Sequence, residues 1–320
     1  MPSRHPFPCR GAAIFFRTCL LVFGLACLGL SLGLPATGRC QDQKEGEAEN
    51  LAKEAQNPVA NLISVPIQNN ANFNYGPLRR TQNVTNIQPV IPFSLNDNWN
   101  LITRTIAPLI YMPQLTEGRS RSVLSGLDGM RINPGKGFSR HTLHDIPALG
   151  NVFGLGDIMF TAFLSPAKNN GFIWGVGPVG VFPTATDPRL LGSGKWSLGP
   201  SAVGLYMGEK IVAGALFNNV WSIGGDPDRK AVNQMTLQPF FNYNFKSGWY
   251  FCTSPLLTAN WQASKPSDTW IVPLGGGIGK LVHMGKLPVN MQLQAYYNVV
   301  RPNDASDWTL RFQIQFLFPK

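Results

Sequence analysis

The sequence predicts an all-β chain, an antiparallel transmembrane outer-membrane β-barrel of about twelve strands. Three observations carry this expectation. Strand-length segments alternate apolar and polar residues, the links between them alternate long and short, and aromatic residues bracket the segments at a membrane-like spacing. The stretch "DWTLRFQIQFLF" (307–318) shows the alternation plainly. Trp308, Leu310, Phe312, Ile314, Phe316 and Phe318 take every second position, with Thr309, Arg311, Gln313 and Gln315 between them. At about 180° per residue the apolar set lines one strand face, whereas at about 100° it would scatter around a helix.

Residues 1–40 form the first element. Arg4, Arg10 and Arg17 precede the apolar run "TCLLVFGLACLGLSLGL" (18–34), and Pro35, Ala36, Thr37 and Gly38 follow it. A basic flank, a short apolar core and small residues read as a secretory signal peptide cleaved near 38–40. An uncleaved anchor helix is the alternative. "LPATG" (34–38) lies at the wrong end of the chain for a cell-wall sorting signal, and Arg39 before Cys40 does not suit a lipoprotein site. Cys9, Cys19 and Cys27 leave with the signal, so Cys40 and Cys252 make no disulfide framework.

Residues 41–58, "QDQKEGEAENLAKEAQNP", are polar and helix-favouring until Pro58. They read as a polar N-terminal arm or short helix, entering the lumen or lying in the periplasm, with a mobile terminus as the alternative. The barrel is expected over 59–320. Its segments are 62–75, 82–94, 99–111, 153–165, 171–183, 196–206, 210–221, 233–245, 249–261, 270–282, 288–299 and 308–318. Prolines in "QPVIPF" (88–93) and "GVGPVGVFP" (175–183) argue against regular strands there, or mark bulges.

The links give the stronger signal. Those at 112–152, 184–195, 222–232, 262–269 and 300–307 are long, with 74–81 an intermediate first member. The alternate links, such as Asn96-Asp97-Asn98 and Met207-Gly208-Glu209, are tight. Short periplasmic turns and longer external loops produce this parity in a membrane barrel. Trp99 and Tyr111 bracket one segment, Trp249 and Trp261 another, and Trp308 and Phe318 the last. A twelve-residue strand spans roughly 40 Å, or about 30 Å when tilted by about 40°, which brackets an apolar band of about 25 Å.

Composition agrees. Charged residues make up 14% of the chain, against about 25% in typical soluble domains. Mean hydropathy is nearly neutral, as expected where lipid-facing and lumen-facing residues cancel. Beyond residue 40 no apolar stretch has the roughly 20 residues of a membrane helix. The mature chain stays basic, which suits the anionic phosphates of lipid and lipopolysaccharide and calls for no nucleic acid.

The inward face is read as pore-lining: Gln68, Asn70, Asn86, Gln88, Gln234, Gln238, Gln292, Gln294, Gln313 and Gln315, with Arg104, Asp157 and Arg311 as fixed charges. Amides can solvate a polar solute through replaceable hydrogen bonds, or they can bond one another and fill the barrel. Catalytic chemistry finds little support. His141 and His144 ("HTLH") lie in the long loop and His283 in an expected turn, none beside a strand-borne nucleophile. Two histidines make a weak metal site, and "GGGIGK" (275–280) lacks the flanking residues of a phosphate loop. Its glycines read instead as relief of crowding in a curved strand. No cofactor or metal is expected.

Longer phrases carry a resemblance: "LAKEAQNPVANLISVPIQNN" (51–70), "NIQPVIPFSLNDNWNLITRTIAPLIY" (86–111), "GLGDIMFTAFLSPAK" (154–168), "GVGPVGVFPTATD" (175–187), "QPFFNYNF" (238–245), "VPLGGGIGK" (272–280), "LQAYYNVVRP" (293–302) and "LRFQIQFLFPK" (310–320). With these the chain resembles bacterial outer-membrane barrels labelled "transporter" or "neuromedin U", related to the phenol-degradation meta-pathway barrel family. The resemblance implies an outer-membrane β-barrel and leaves the solute undefined. The C-terminal strand also resembles the aromatic strand read by the barrel-assembly machinery, although Pro319 and Lys320 follow Phe318. The expected function is a channel or transporter for small solutes, partly apolar or aromatic ones included. The alternatives are a structural or surface-interaction barrel with a filled lumen, and third, a barrel acyl hydrolase.

Overall fold

A computed structural model describes residues 50–115, 150–168, 171–285 and 287–319. The expected signal segment, the start of the arm and the histidines His141 and His144 lie outside these residues. The strand segments are β1 (Ile63–Tyr75), β2 (Arg80–Ile87), β3 (Val90–Ser94), β4 (Trp99–Met112), β5 (Val152–Leu155), β6 (Ile158–Pro166) and β7 (Phe172–Phe182). They continue with β8 (Lys195–Met207), β9 (Ile211–Gly225), β10 (Asn233–Asn244), β11 (Trp249–Thr253), β12 (Leu257–Asn260), β13 (Trp270–Met284), β14 (Leu287–Val300) and β15 (Trp308–Phe318). Every pairing is antiparallel, and β1 pairs β15, so the sheet closes.

Three staves are each built from two segments, which makes a closed barrel of 12 strands. β2 and β3 share one stave, interrupted at Gln88-Pro89; β5 and β6 share another, interrupted at Gly156-Asp157; β11 and β12 share a third, interrupted at Ser254–Leu256. Pro89 and Pro255 fall in these interruptions, where no ladder bond is demanded of them. Backbone groups there find other partners. The Gln88 N–H donates to the Pro66 carbonyl at 2.8 Å, and the Gly156 N–H to the Pro108 carbonyl at 2.8 Å. The loop parity is borne out with one exception. The first hairpin is tight, with Tyr75 paired to Arg80 and Gly76 at φ +72° making the turn.

The alternation places the two faces as the sequence expects. On β14, Asn290, Gln294, Tyr296 and Asn298 are buried while Ala295, Tyr297 and Val299 are exposed. Trp99, Trp249 and Phe318 stand at the short-turn end, and Tyr111, Trp261 and Trp308 at the long-loop end. Several are locked in aromatic pairs. Trp308 stacks on Phe73 with centroids 4.0 Å apart, Trp261 meets Trp270 edge-on at 5.6 Å, and Trp99 meets Trp174 at 6.0 Å.

Inside, the sequence expectation was incomplete. One sector is apolar: Val90, Ile102, Phe163, Ile173, Val203, Leu205, Val212, Leu216 and Phe240 pack around Val59, just after the arm. Residues 50–55 are helical, and the arm enters the barrel at its short-turn end. Ala52, Ala60 and Leu62 pack there against Leu281 and Leu317.

The glycines of "GGGIGK" have a steric reason. A Cβ on Gly279 would lie 2.2 Å from the Tyr250 ring, which crosses that glycine to donate its hydroxyl to Asn290 Oδ1 at 2.6 Å. Gly279→Ala is expected to destabilise the barrel by about 1–3 kcal/mol through overpacking. Urea unfolding in lipid vesicles, followed by gel mobility with and without heating, measures the shift. An unchanged midpoint would show that Tyr250 repacks freely.

Candidate functional site: an amide-lined lumenal cavity

The lumen holds a cavity of about 130 Å³ between the arm and the strands. Eight of the residues expected to line a pore reach it: Gln68, Gln88, Arg104, Gln238, Gln292, Gln294, Gln313 and Gln315. Ser64, Asn242 and Ser254 add polar groups, while Leu62, Val90, Leu216 and Phe240 give an apolar wall. The arm supplies the floor through Glu54, Ala55, Gln56, Asn57 and Pro58, with Ala60 just after it.

The polar sector is a continuous hydrogen-bonded ladder. The Tyr296 hydroxyl donates to Gln294 Oε1 at 2.6 Å, and Gln294 Nε2 donates to Gln292 Oε1 at 2.9 Å. Asn290 Nδ2 donates to Gln315 Oε1 at 3.2 Å, and Gln315 Nε2 reaches the Ala55 carbonyl at 3.3 Å. The arm is tied a second time where Gln56 Nε2 donates to Asn244 Oδ1 at 2.7 Å. Such ladders occupy donors and acceptors that burial would otherwise leave unpaired.

The two inward arginines differ in what they have left to give. Arg311 Nε donates to Asn70 Oδ1 at 3.0 Å, its Nη1 donates to the Ser254 carbonyl at 2.8 Å, and its guanidinium lies 4.9 Å from the Tyr296 ring centroid. It braces the strand break at Ser254 against β15. Arg104 donates to Gln88 Oε1 at 2.6 Å and, among the described residues, makes no salt bridge. Arg104 is one of the residues that line the cavity.

The remaining expected positions fall elsewhere. Asn70 stands behind the cavity as the Arg311 acceptor, and Asn86 faces the lumen across from Gln68 in register. Gln234 sits exposed at the long-loop end of β10. Asp157 is no cavity charge; its carboxylate accepts from the Ser193 N–H at 2.6 Å and the Ser193 hydroxyl at 2.8 Å. It fastens the 183–194 loop, and its spacing in "GLGDIM" gave no sign of that. Ser254 was missed, although Pro255 inside an expected strand pointed to the break. His283 lies within β13, two residues before the turn rather than in it. Cys252 is buried and accepts from Gln294 Nε2 at 3.1 Å. No group of three or more metal-ligating side chains occurs among the described residues.

At the long-loop end Asp307 joins two loops to β1. Its carboxylate accepts from Asn74 Nδ2 at 2.8 Å and Arg79 Nη2 at 2.6 Å, and it pairs with Arg301. The Asn74 hydrogen bond first, then the two guanidinium charges, hold its carboxyl below the usual aspartate range. A depressed carboxylate contributes its stabilisation above the unfolded value, about 3.9, and loses it as pH falls through the folded value. The clamp is therefore expected to hold at neutral pH and release only below about pH 4. Protease nicking of the 301–307 loop should rise in that acid range. Asp307→Asn should nick readily at neutral pH; a wild-type profile flat down to pH 2 would refute the clamp.

No protein-family model and no curated protein sequence matches the chain. Among solved structures, an outer-membrane channel from Pseudomonas putida F1 superposes with a TM-score of 0.55 at 17% identity, covering 80% of this chain and 94% of that one. The NanC porin gives 0.45 at 9% identity, covering 81% and 100%. The CymD monoaromatic hydrocarbon channel gives 0.45 at 10% identity, covering 86% and 92%. At such identities the likeness is one of fold: the chain folds as an outer-membrane-type β-barrel.

Proposed function

We propose that the protein is an outer-membrane channel for small solutes, closed at its short-turn mouth by its own N-terminal arm. The observation that carries this reading is the amide-lined cavity sealed below by residues 54–60. Amide rows on β1, β10, β14 and β15 offer a solute successive, exchangeable hydrogen-bond partners, while the apolar wall receives a partly apolar body. The Pseudomonas putida F1 channel supports the reading through its fold, and the resemblance of the longer phrases to outer-membrane "transporter" barrels is in keeping with it. The exposed aromatics at both strand ends suit lipid and lipopolysaccharide, and β15, ending at Phe318, suits recognition by the assembly machinery.

One observation favours a second reading, a filled structural barrel: the apolar cluster around Val59 occupies a whole sector of the lumen. Reconstitution separates the two. The mature chain and a Gln56→Ala/Asn244→Ala variant, which loses an arm tie, would be compared in planar bilayers and in solute-loaded vesicles. A channel gives conductance or flux that rises in the variant. Silence from both proteins would establish the filled barrel.

A further inference from the structure

We propose that Arg104 is the docking group for the carboxylate of a small organic acid, and that the apolar wall beside it receives the acid's hydrocarbon body. The proposal rests on the channel reading only for how the solute arrives. A buried guanidinium is expensive unless its charge and its donors are met. Arg311 meets this demand within the protein, through Asn70, Ser254 and the Tyr296 ring. Arg104 is partly buried, and its one hydrogen bond in the structure goes to the neutral Gln88 amide oxygen, so its remaining N–H groups stay accessible to whatever fills the cavity. A planar guanidinium presents five donors in a fork that matches a carboxylate bidentately, so the cavity holds a cation with most of that fork unused.

The surroundings define the rest of the ligand. Val90 pairs in register with Arg104, and Leu216 and Phe240 complete an apolar wall on the same cavity. Across it stand the neutral amides of Gln292, Gln294, Gln313 and Gln315, which carry no competing charge. Glu54 is the only acid in the lining among the described residues; it sits exposed on the arm and makes no salt bridge with Arg104. At about 130 Å³ the space lies well below the roughly 300–1,000 Å³ of drug-sized sites, which suits one ring or a short chain. A carboxylate on a compact apolar body satisfies cation, wall and size together.

Benzoate, benzamide and benzylamine share a body and differ in charge. Binding to the folded barrel in detergent would be read by ligand-observed NMR, and entry into vesicles by flux. The wild type should bind and pass benzoate best, with benzylamine last. Arg104→Gln should weaken benzoate binding by about tenfold or more and leave benzamide within about twofold, while Arg104→Lys should restore part of the benzoate preference. If Arg104→Gln fails to show the heat-dependent gel shift of a folded barrel, the wild-type ranking and the lysine variant decide. Equal binding of all three compounds by the wild type, or a benzoate preference unchanged by either variant, overturns the proposal. Equal flux without preference would leave the channel standing and sink the carboxylate site. Benzoate binding with no flux of any probe would do the reverse.

Discussion

Truncating the chain to begin at residue 59 is expected to raise the conductance of the reconstituted barrel by about tenfold or more, because a mouth held shut by even about 1.4 kcal/mol is open only about a tenth of the time. The contacts that hold it are few and identifiable. Ala52 is 1% exposed against the short-turn wall, Gln56 is bonded to Asn244, and the Ala55 carbonyl is bonded to Gln315. Truncation removes these while leaving Val59 in its apolar cluster and Leu62 against Leu317. The barrel should therefore still fold, since Asn244 and Gln315 regain water at a mouth that is then wet. A net hydrogen bond contributes only about 0.5–1.5 kcal/mol, so the loss to the barrel itself is modest. Single-channel recording of full-length and truncated protein, prepared side by side, measures the ratio. An unchanged conductance would place the barrier elsewhere, in the apolar sector around Phe163.

That apolar sector is also where the sequence was hardest to read. On β1, β14 and β15 the inward residues are amides, so apolar and polar positions alternate and each face declares itself. On β6 and β7, "IMFTAFLSP" and "FIWGVGPVGVF", both faces carry apolar residues, and the alternation vanishes. Phe163 and Ile173 point inward there while Phe160, Leu164, Phe172 and Trp174 point outward. A run apolar on both faces is the mark of a strand buried on both sides. The lost alternation was therefore a readable sign that this part of the lumen is dry. The arm was legible as a helix-favouring segment, but nothing local told that Gln56 would meet Asn244, 188 residues away. Nor could sequence separate the two arginines. Both stand at inward parity, and it takes the break at Ser254 together with Asn70 on the neighbouring strand to supply Arg311 with acceptors that Arg104 lacks.

The lipid-facing assignment makes the sharper energetic claim, and adjacent residues of β15 test it. Ile314 lies near mid-strand, in register with Ile67 on one side and Met291 on the other, so its face is apolar across three strands. Gln313 points the opposite way, into the cavity. An arginine at Ile314 must hold its charge in hydrocarbon, at a cost of about 2–4 kcal/mol near the bilayer midplane. The same arginine at Gln313 meets amides and the solvated lumen, where substitution alters selectivity more than stability. Ile314→Arg should therefore lower the folded-to-unfolded ratio in vesicles by a factor of roughly 30 to 1,000, and Gln313→Arg by less than about tenfold. Urea titrations of both variants in the same lipid read the difference directly. Were the two penalties equal, or reversed, β15 would not present Ile314 to lipid, and the inside and outside of the barrel would have to be exchanged.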